Sequence, residues 1–319
     1  MSVHCVALSG GVGGAKLALG LSHVVPADAL AVVVNTADDF RHLGLAISPD
    51  LDTLLYTLAA RVNPDTGWGR SDEHWHCMEA LEELGGETWF RLGDRDIATH
   101  LVRTARLADG ARLTEVTAEL RAALGVKTRV LPVSDDAIAT QVHTDTGVLP
   151  FQEYFVRRRA EPRVQAVEFA GAGDAQPSPE VLAALQDARL QAILVAPSNP
   201  WLSIDPLLAV PGFAAALREA LVPVVAVSPI VGGRALKGPT AKIMGELGLT
   251  QSALAVARHY QPWIDGFILD TVDKDLRPDV EALGITVHCS NTIMQTLDDR
   301  IELARTALDF ARDCGKAAR

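Results

Sequence analysis

One stretch near the N-terminus, Ser9-Gly10-Gly11-Val12-Gly13-Gly14-Ala15-Lys16, constrains the fold more than any other part of the chain. It follows the apolar run Val3 to Leu8 and precedes a second apolar run, Leu17 to Leu21, which predicts a turn from a buried strand into a helix. Glycine adopts positive φ and lacks a Cβ, so such a turn can present backbone N–H groups beside a helix N-terminus. The stretch therefore predicts a phosphate or diphosphate site, formed by Gly10, Gly11, Gly13, Gly14 and Lys16.

Two better-known glycine motifs fit this stretch poorly. A Walker A loop has Ser or Thr after its lysine, whereas Lys16 is followed by Leu17. A dinucleotide-binding turn has an acidic residue at the tip of the second strand, where this chain has Val34-Asn35 and carries its acids slightly later. A nicotinamide site and a ligand-free turn, whose glycines serve only close packing, stay open as alternatives.

Two acidic segments follow the glycine stretch. Asn35 to Asp39 ends the predicted second strand, Ala31 to Val34. Ser48-Pro49-Asp50 predicts a helix start, with the serine as its cap and the proline at the first helical position. A carboxylate in a capping turn needs no ligand, but two carboxylates beside a diphosphate commonly hold Mg²⁺. We therefore predict Asp38 and Asp50 as magnesium ligands, and either carboxylate as the group that draws off a proton.

Two later runs, Leu190 to Val195 and Val222 to Val227, predict strands that are apolar on both faces, which is typical of a parallel sheet covered by helices. The turns after them are Ser198-Asn199-Pro200 and Ser228 to Lys237. Ligands of open parallel sheets bind beyond the carboxyl ends of the strands, so Ser198, Asn199, Pro200 and Ser228 are predicted to complete the site. Ordinary turn chemistry is the alternative explanation of these residues.

The expected fold class is α/β: a Rossmann-like, mainly parallel sheet with helices on both faces, plus an inserted, mostly helical subdomain. Residues 1–62 and 163–319 are predicted as the nucleotide-binding core, and residues 63–162 as an insert that covers the substrate cleft. The insert is predicted to contain three helices and three short β-like runs, which are Cys77 to Leu84, Ile97 to Leu107, Leu113 to Leu124, Thr128 to Leu131, Ala139 to Thr144 and Gln152 to Val156. His74, His76 and Cys77 lack a second ligand pair at a spacing that would favour zinc.

Charge and cysteine content restrict the class of partner. A formal net charge of -11 argues against nucleic acid and anionic membranes as partners. The four cysteines are scattered, which favours a reduced cytoplasm. No leader pattern and no run of 18 uncharged apolar residues is found, so we expect a cytoplasmic protein without a membrane segment.

Six motifs in this order resemble the 2-phospho-L-lactate transferase family of coenzyme F420 biosynthesis, over essentially the full length of the chain. They are Ser-Gly-Gly-Val-Gly-Gly-Ala-Lys (9–16), Val-Val-Asn-Thr-Ala-Asp-Asp (33–39), Ser-Pro-Asp-Leu-Asp-Thr (48–53), Leu-Gly-Asp-Arg-Asp-x-Ala-Thr-His (92–100), Pro-Ser-Asn-Pro (197–200) and Ser-Pro-Ile-Val-Gly-Gly (228–233).

The resemblance implies an Mg²⁺-dependent transfer of a phospho-three-carbon-acid group from its guanosine diphosphate conjugate to the deazaflavin alcohol Fo, with release of GMP. The group would be 2-phospholactate, phosphoenolpyruvate or 3-phosphoglycerate. The family's metal carboxylates correspond to Asp38 and Asp50, its deazaflavin contacts to Asp50 and Arg91, and its guanosine diphosphate contacts to the glycine stretch and Ser198-Asn199-Pro200. A homodimer is also implied.

A rival of another class is a non-catalytic nucleotide-sugar-binding regulator resembling the gluconeogenesis factor proteins. Those would have a Gly-Gly-Gly-Thr-Gly form of the glycine stretch and a glycine- and serine-rich run after the paired aspartates. This chain has Phe40-Arg41-His42-Leu43 there instead.

Overall fold

The structure is a computed structural model that describes residues 4–235 and 240–315. Lys237, the last residue of the predicted turn Ser228 to Lys237, lies outside the described residues. The strands are β1 (His4–Ser9), β2 (Leu30–Val34), β3 (Phe40–His42), β4 (Leu45–Ile47), β5 (Arg129–Pro132), β6 (Ala139–Thr144), β7 (Gly147–Pro150), β8 (Val164–Ala170), β9 (Leu190–Val195), β10 (Val224–Val227), β11 (Ile230–Val231), β12 (Arg234–Ala235), β13 (Gly266–Asp270) and β14 (Thr286–Ser290). The helices are α1 (Gly11–Val24), α2 (Pro49–Leu58), α3 (His76–Glu83), α4 (Asp94–Ala108), α5 (Leu113–Ala123), α6 (Pro179–Leu185), α7 (Asp205–Leu208), α8 (Pro211–Glu219), α9 (Thr240–Glu246), α10 (Ala253–Tyr260), α11 (Arg277–Glu281) and α12 (Leu297–Asp313).

Seven of the described strands form one parallel sheet in the order β14-β13-β10-β9-β1-β2-β5. Alternate side chains of a strand point to opposite faces, and both faces of β1 are buried. Cys5 and Ala7 pack with residues of α1, α2 and α12, whereas Val6 and Leu8 pack with residues of α6, α8 and α10. This arrangement confirms the predicted α/β class with helices on both faces of a parallel sheet.

The order of strands in the sheet contains a topological switch point between β1 and β9. The chain adds β2 and β5 on one side of β1, and then adds β9, β10, β13 and β14 on the other side. In an open parallel sheet the crevice at such a reversal, outside the carboxyl ends of the strands, is where ligands bind. The glycine stretch after β1 and the turn after β9 both lie at this crevice.

Two details of the region expected to be an insert are wrong. The β-like run expected at Thr128 to Leu131 is present as β5, but it is an edge strand of the central sheet paired with β2 and not part of an insert, because Val130 and Leu131 bury their side chains on opposite faces of that sheet. The run Gln152 to Val156 contains a π-helical turn, Glu153–Arg157, where a β-like run was expected. That turn buries Tyr154 in a small separate core, so tertiary packing overrides the strand preference of its aromatic residues. The rest of the division into core and insert stays a prediction.

Among the described residues no single helix combines the length and hydropathy needed to cross a membrane; one bent pair, Pro200–Leu208 with Pro211–Glu219, meets those criteria only when its two parts are taken together.

Replacement of Gly20 by Ala is expected to destabilise the fold by about 1–3 kcal/mol, since overfilling a tight contact costs that much. Gly20 lies in the middle of α1, where a Cβ would overlap the backbone carbonyl of Arg300 in α12. Helix propensity alone would favour alanine there. Urea unfolding should therefore show a lower midpoint for Gly20→Ala. Gly173→Ala, at a position with no described atom within 4 Å of the new Cβ, is the matched control, and an equal response of the two variants would contradict this explanation.

Candidate functional site

A cleft of about 420 Å³ opens at the carboxyl ends of β1, β2, β9 and β10. Segments from both halves of the sheet line it, together with aromatic residues from the region after α2 and from the turn after β7. The residues that line the cleft include Gly10, Gly11, Val12, Gly13, Lys16, Asp38, Asp50, Trp68, Phe151, Phe155, Ser198, Asn199, Ser228, Thr292 and Met294.

The glycines of the first turn serve packing more than the sequence indicates. A Cβ at Gly13 would overlap the carbonyl of Pro197, and one at Gly14 would overlap the hydroxyls of Ser9 and Ser198. Gly10 is similarly restricted by Ser203. Only Gly11 needs glycine for its backbone, since its φ is +62° and its Cβ position is open. The close approach of β1, α1 and the turn after β9 therefore explains three of the four glycines without a ligand.

The row of N–H groups is also partly occupied by protein atoms. The amide of Gly10 donates to Ser198 Oγ at 3.1 Å, and the amide of Gly11 donates to Asp50 Oδ1 at 2.8 Å. Two amides of the first turn of α1, those of Val12 and Gly13, have no partner among the hydrogen bonds of residues 4–235 and 240–315. Because first-turn amides have no acceptor within their own helix, these two face the cleft as donors for an anion.

Asp38 and Asp50 both line the cleft and are only 7% and 9% exposed. Asp38 Oδ1 accepts a hydrogen bond from Thr140 Oγ1 at 3.0 Å. Asp50 Oδ2 accepts from Asn35 Nδ2 at 3.0 Å, and its Oδ1 accepts from Gly11. The structure thus brings the two predicted metal ligands to one cleft, at the N-terminus of α1.

Burial raises the pKa of Asp38 well above its usual range, and the nearby Asp50 carboxylate raises it further. Burial also raises the pKa of Asp50, against the opposing hydrogen bonds from Asn35 and Gly11. Two buried carboxylates that repel each other are stabilised in their charged forms by a cation between them. Hard carboxylate oxygens on neighbouring loops are also a donor set that suits Mg²⁺, so the residues present fit the predicted ion.

Asp39, for which the sequence suggested no role, is held behind this pair. The hydroxyl of Ser48 donates to Asp39 Oδ2 at 2.6 Å. Ser48 occupies the N-cap position of α2, as predicted, but its side chain does not cap the helix. The hydroxyl instead joins the two acidic segments to each other.

A buried ion-pair network lies below Asp39. Arg103 of α4 is 1% exposed and donates two hydrogen bonds to the Asp52 carboxylate, one of them at 3.0 Å. Burial disfavours the charged guanidinium, but Asp52 more than offsets this and raises the pKa of Arg103. His100 lies between Asp52 and Asp96, and Tyr56 donates to Asp96 at 2.6 Å. No pattern in the sequence predicts this network, although Asp96 and His100 both belong to the motif at residues 92–100.

Asp52, Asp96 and His100 place one ligand atom each within 4.8 Å of one another, which is close enough for a metal ion. Arg103 contacts both Asp52 and His100, and its charge would repel a divalent cation there. None of the three lines the cleft. We therefore interpret this group as an internal ion-pair network that supports α2.

The far end of the cleft is formed by the segment after β14. Lys16 Nζ donates to the carbonyl of Met294 at 2.9 Å. Thr292 donates its amide and hydroxyl to Asp270 Oδ2, at 2.8 and 3.0 Å, which ties this segment to the end of β13. Ser228 lines the cleft beside it, and its hydroxyl donates to the carbonyl of Ile230 at 2.8 Å.

Not every predicted site residue reaches the cleft lining. Gly14 is packed against Ser9 and Ser198, and Pro200 starts a buried π-helical turn, Pro200–Ile204, for which Asn199 is the side-chain cap. Arg91 is exposed, lies outside the lining residues, and places its guanidinium 4.4 Å from the centre of the Trp75 ring. The remaining predicted residues line the cleft together.

Three aromatic side chains, those of Trp68, Phe151 and Phe155, border the cleft that Asp38 and Asp50 also line. The rings of Phe151 and Phe155 stack at 5.4 Å with an interplanar angle of 8°, and Trp68 is 55% exposed. Exposed aromatic rings beside a polar cleft are suited to bind a flat ring system. Phe155 lies in the run Gln152 to Val156, which was expected to be β-like, and Phe151 directly precedes that run.

The sequence model of the family described as 2-phospho-L-lactate transferase CofD matches residues 5–294. A phosphoenolpyruvate transferase of Streptomyces griseus is 43% identical over 317 residues, covering 98% of this chain and 99% of that protein. A 2-phospho-L-lactate transferase of Methanosarcina mazei is 39% identical over 299 residues, covering 94% and 97% of the two chains. A crystal structure of a UPF0052 family protein from Bacillus halodurans shares the fold, with a TM-score of 0.62 at 16% identity over 97% of this chain and 99% of that one.

Proposed function

This chain belongs to the 2-phospho-L-lactate transferase CofD family, and from that premise we propose that it transfers a phospho-three-carbon-acid group from a guanosine diphosphate conjugate to the deazaflavin Fo. The products would be a coenzyme F420-0 type molecule and GMP. The group would be phosphoenolpyruvate, 2-phospholactate or 3-phosphoglycerate. We include in the proposal a dependence on Mg²⁺, a homodimeric assembly and a cytoplasmic location.

The observation that carries the proposal is the position of Asp38 and Asp50. Both are buried carboxylates that line one cleft, next to the amides of the first turn of α1. Amides at a helix N-terminus bind phosphate oxygens, and paired carboxylates hold the divalent ion that usually accompanies a diphosphate. This combination supports transfer at phosphorus more than hydride transfer or regulation without catalysis.

The proposed reaction forms a bond between the acceptor hydroxyl oxygen and the phosphorus that bears the three-carbon acid. The bond from that phosphorus to the bridging oxygen breaks, and the bridging oxygen leaves with GMP. The hydroxyl proton is lost, and Asp38 and Asp50 are the carboxylates placed to accept it. Such a displacement depends on positioning and on neutralisation of phosphate charge. Bound Mg²⁺ would supply part of that neutralisation between the two aspartates.

The chain's own groups would divide the substrate contacts between the two ends of the cleft. We assign the diphosphate to the amides of Val12 and Gly13, and the nucleoside to the end formed by Ser198, Asn199, Ser228 and Thr292. The flat deazaflavin ring would bind at Phe151, Phe155 and Trp68, on the side of Asp50. We also propose that Arg91 contacts the deazaflavin acceptor. To do so, its guanidinium would have to leave its position over the Trp75 ring and turn toward the cleft.

The test is to incubate the full-length protein with Fo and, separately, each of the three guanosine diphosphate conjugates, and to identify the products by mass spectrometry. We expect one conjugate to give GMP and the matching F420-0 type product, and EDTA to stop the reaction until Mg²⁺ is added. Calorimetry with GDP, a UDP-sugar and NAD is the parallel measurement. Absence of product with every conjugate, or binding of NAD or the UDP-sugar in preference to GDP, would contradict the proposal.

A further inference from the structure

A short β-hairpin connects the two acidic segments of the cleft. Strands β3 and β4 pair in antiparallel register, with Phe40 opposite Ile47 at the open end. The turn at the closed end consists of Leu43 and Gly44, which both have positive φ, 52° and 78°. Tight hairpin turns with two such residues fix the register of the strands they join. Asp39 and Ser48 are therefore the next residues beyond the open end, one on each side.

The hydrogen bond between these two residues closes the hairpin. The Ser48 hydroxyl donates to Asp39 Oδ2 at 2.6 Å. Asp38 directly precedes Asp39 in the chain. Asp50 lies two residues after Ser48, in the first turn of α2. The open end of the hairpin and this bond therefore contribute to the spacing between the two cleft carboxylates, in addition to the hydrogen bonds that each carboxylate accepts directly.

Helix α4 holds the hairpin from behind. The amide of Ala46 in β4 donates to Thr104 Oγ1 at 2.8 Å, and the Arg103 guanidinium donates to the carbonyl of Ala46 at 3.4 Å. These contacts fix the strand that carries Ser48. The side of the hairpin that carries Asp39 has its own contacts, since the Asp39 amide donates to the carbonyl of Thr36 at 3.1 Å and the Phe40 ring packs against Phe90. The Asp39 to Ser48 bond adds a side-chain connection between the two sides, beyond the pairing of the strands themselves.

We propose that Asp39 and Ser48 are positioning residues, whose hydrogen bond holds Asp38 and Asp50 at the separation that a divalent ion requires. The inference rests on the proposed function, since it assumes that the ion binds between Asp38 and Asp50. Asp39 is not itself a ligand, because its Oδ2 is directed to Ser48 and the residue does not line the cleft. Hydrogen-bond partners that orient metal ligands contribute to affinity in this way.

The choice of Ser48 supports this role. A serine at an N-cap position usually accepts a hydrogen bond from an amide of the first turn, which stabilises the helix. Ser48 makes no such bond and uses its hydroxyl as a donor to Asp39. The side chain therefore connects two loops at the expense of a helix cap.

The test measures Mn²⁺ binding to the full-length protein by electron paramagnetic resonance of the free ion, without substrates. We expect Ser48→Ala and Asp39→Ala to raise the apparent Kd for Mn²⁺ about tenfold, the low end of the effect of losing an outer-shell hydrogen bond at a metal site. Asp39→Asn keeps an acceptor oxygen for the Ser48 hydroxyl, so its Kd should stay close to that of the unchanged protein. Transferase activity of Ser48→Ala should be recovered at saturating metal.

Two further variants separate this inference from the proposed function. Asp38→Asn removes a proposed ligand and should abolish Mn²⁺ binding; retention of the ion by that variant would overturn the proposed metal site and this inference with it. Ser22→Ala makes the same chemical change as Ser48→Ala on α1, where the Ser22 hydroxyl donates to the carbonyl of Leu19 in the same helix at 2.7 Å. If Asp38→Asn loses the ion but Ser48→Ala binds it like Ser22→Ala, or if Asp39→Asn loses as much affinity as Asp39→Ala, the inference alone is wrong. Thermal unfolding verifies that each variant is folded.

Discussion

Replacement of Asp50 by Asn is expected to lower the rate of GMP release on the order of a thousandfold at saturating substrates, comparable to losing a group that stabilises developing charge in an active site. The new side chain has the same shape but no charge, and its NH2 group would point a donor at either the Gly11 amide or the Asn35 side-chain amide. Both Oδ1 and Oδ2 are acceptors in the present structure, bonded by Gly11 and Asn35. The measurement is steady-state release of GMP with the conjugate found to be the substrate.

The matched control for this variant is Asp28→Asn. Asp28 is exposed and lies before β2, at the end of the sheet opposite the cleft. The Asp28→Asn variant should release GMP at the same rate as the unchanged protein. A rate for Asp50→Asn within a few-fold of the control, with Mg²⁺ present, would remove Asp50 from the mechanism and leave the cleft carboxylates without their proposed purpose.

Replacement of Arg103 by Met is expected to lower the free energy of unfolding by about 3–5 kcal/mol, the usual effect of removing one partner of a buried ion pair. The methionine fills similar space, so the loss comes from Asp52, which would stay buried without its two hydrogen bonds from the guanidinium. Guanidinium chloride or urea unfolding measures the change. The double variant with Asp52→Leu should regain part of the loss, because both charges are then gone.

Arg106→Met is the matched control, three residues further along α4. Arg106 pairs with Glu119 at the surface, where both side chains are largely exposed. Exposed pairs contribute little to stability because solvent screens them. The expected midpoint is therefore close to that of the unchanged protein, and an equal shift for Arg103→Met and Arg106→Met would show that the buried pair is not the source of stability.

The central sheet could be predicted from the sequence because several of its strands are continuous apolar runs, each of which indicates a buried strand. Residues 5–8 and 30–34 are apolar at every position, so both faces of these strands are apolar, which is typical of a parallel sheet covered by helices. A strand was expected at Thr128 to Leu131, close to the observed β5, but it was assigned to the insert because it comes after three predicted helices. Its place at the sheet edge is decided by pairing with β2, which is a long-range contact.

The site was predicted in part for a similar reason. Asp38 and Asp50 follow elements whose ends could be placed, so their approach to the glycine turn could be expected. The glycines were assigned to the right turn, but which of them contact protein is decided by Pro197 and Ser198, nearly 190 residues away. The bond between Asp39 and Ser48 could not be read from spacing, since a serine before a proline is equally typical of an ordinary helix cap.

The hydrogen bonds between Gly10 and Ser198 join residues that are 188 positions apart, and β1 lies between β2 and β9 in the sheet. During synthesis one edge of β1 therefore stays unpaired until β9, Leu190–Val195, has left the ribosome. Contacts of such long range slow folding and leave apolar edges open to wrong partners. A truncated chain that ends before β9 would contain the glycine turn and both acidic segments. Because one edge of β1 would stay unpaired, we expect it to bind chaperones or to be degraded, and not to be active.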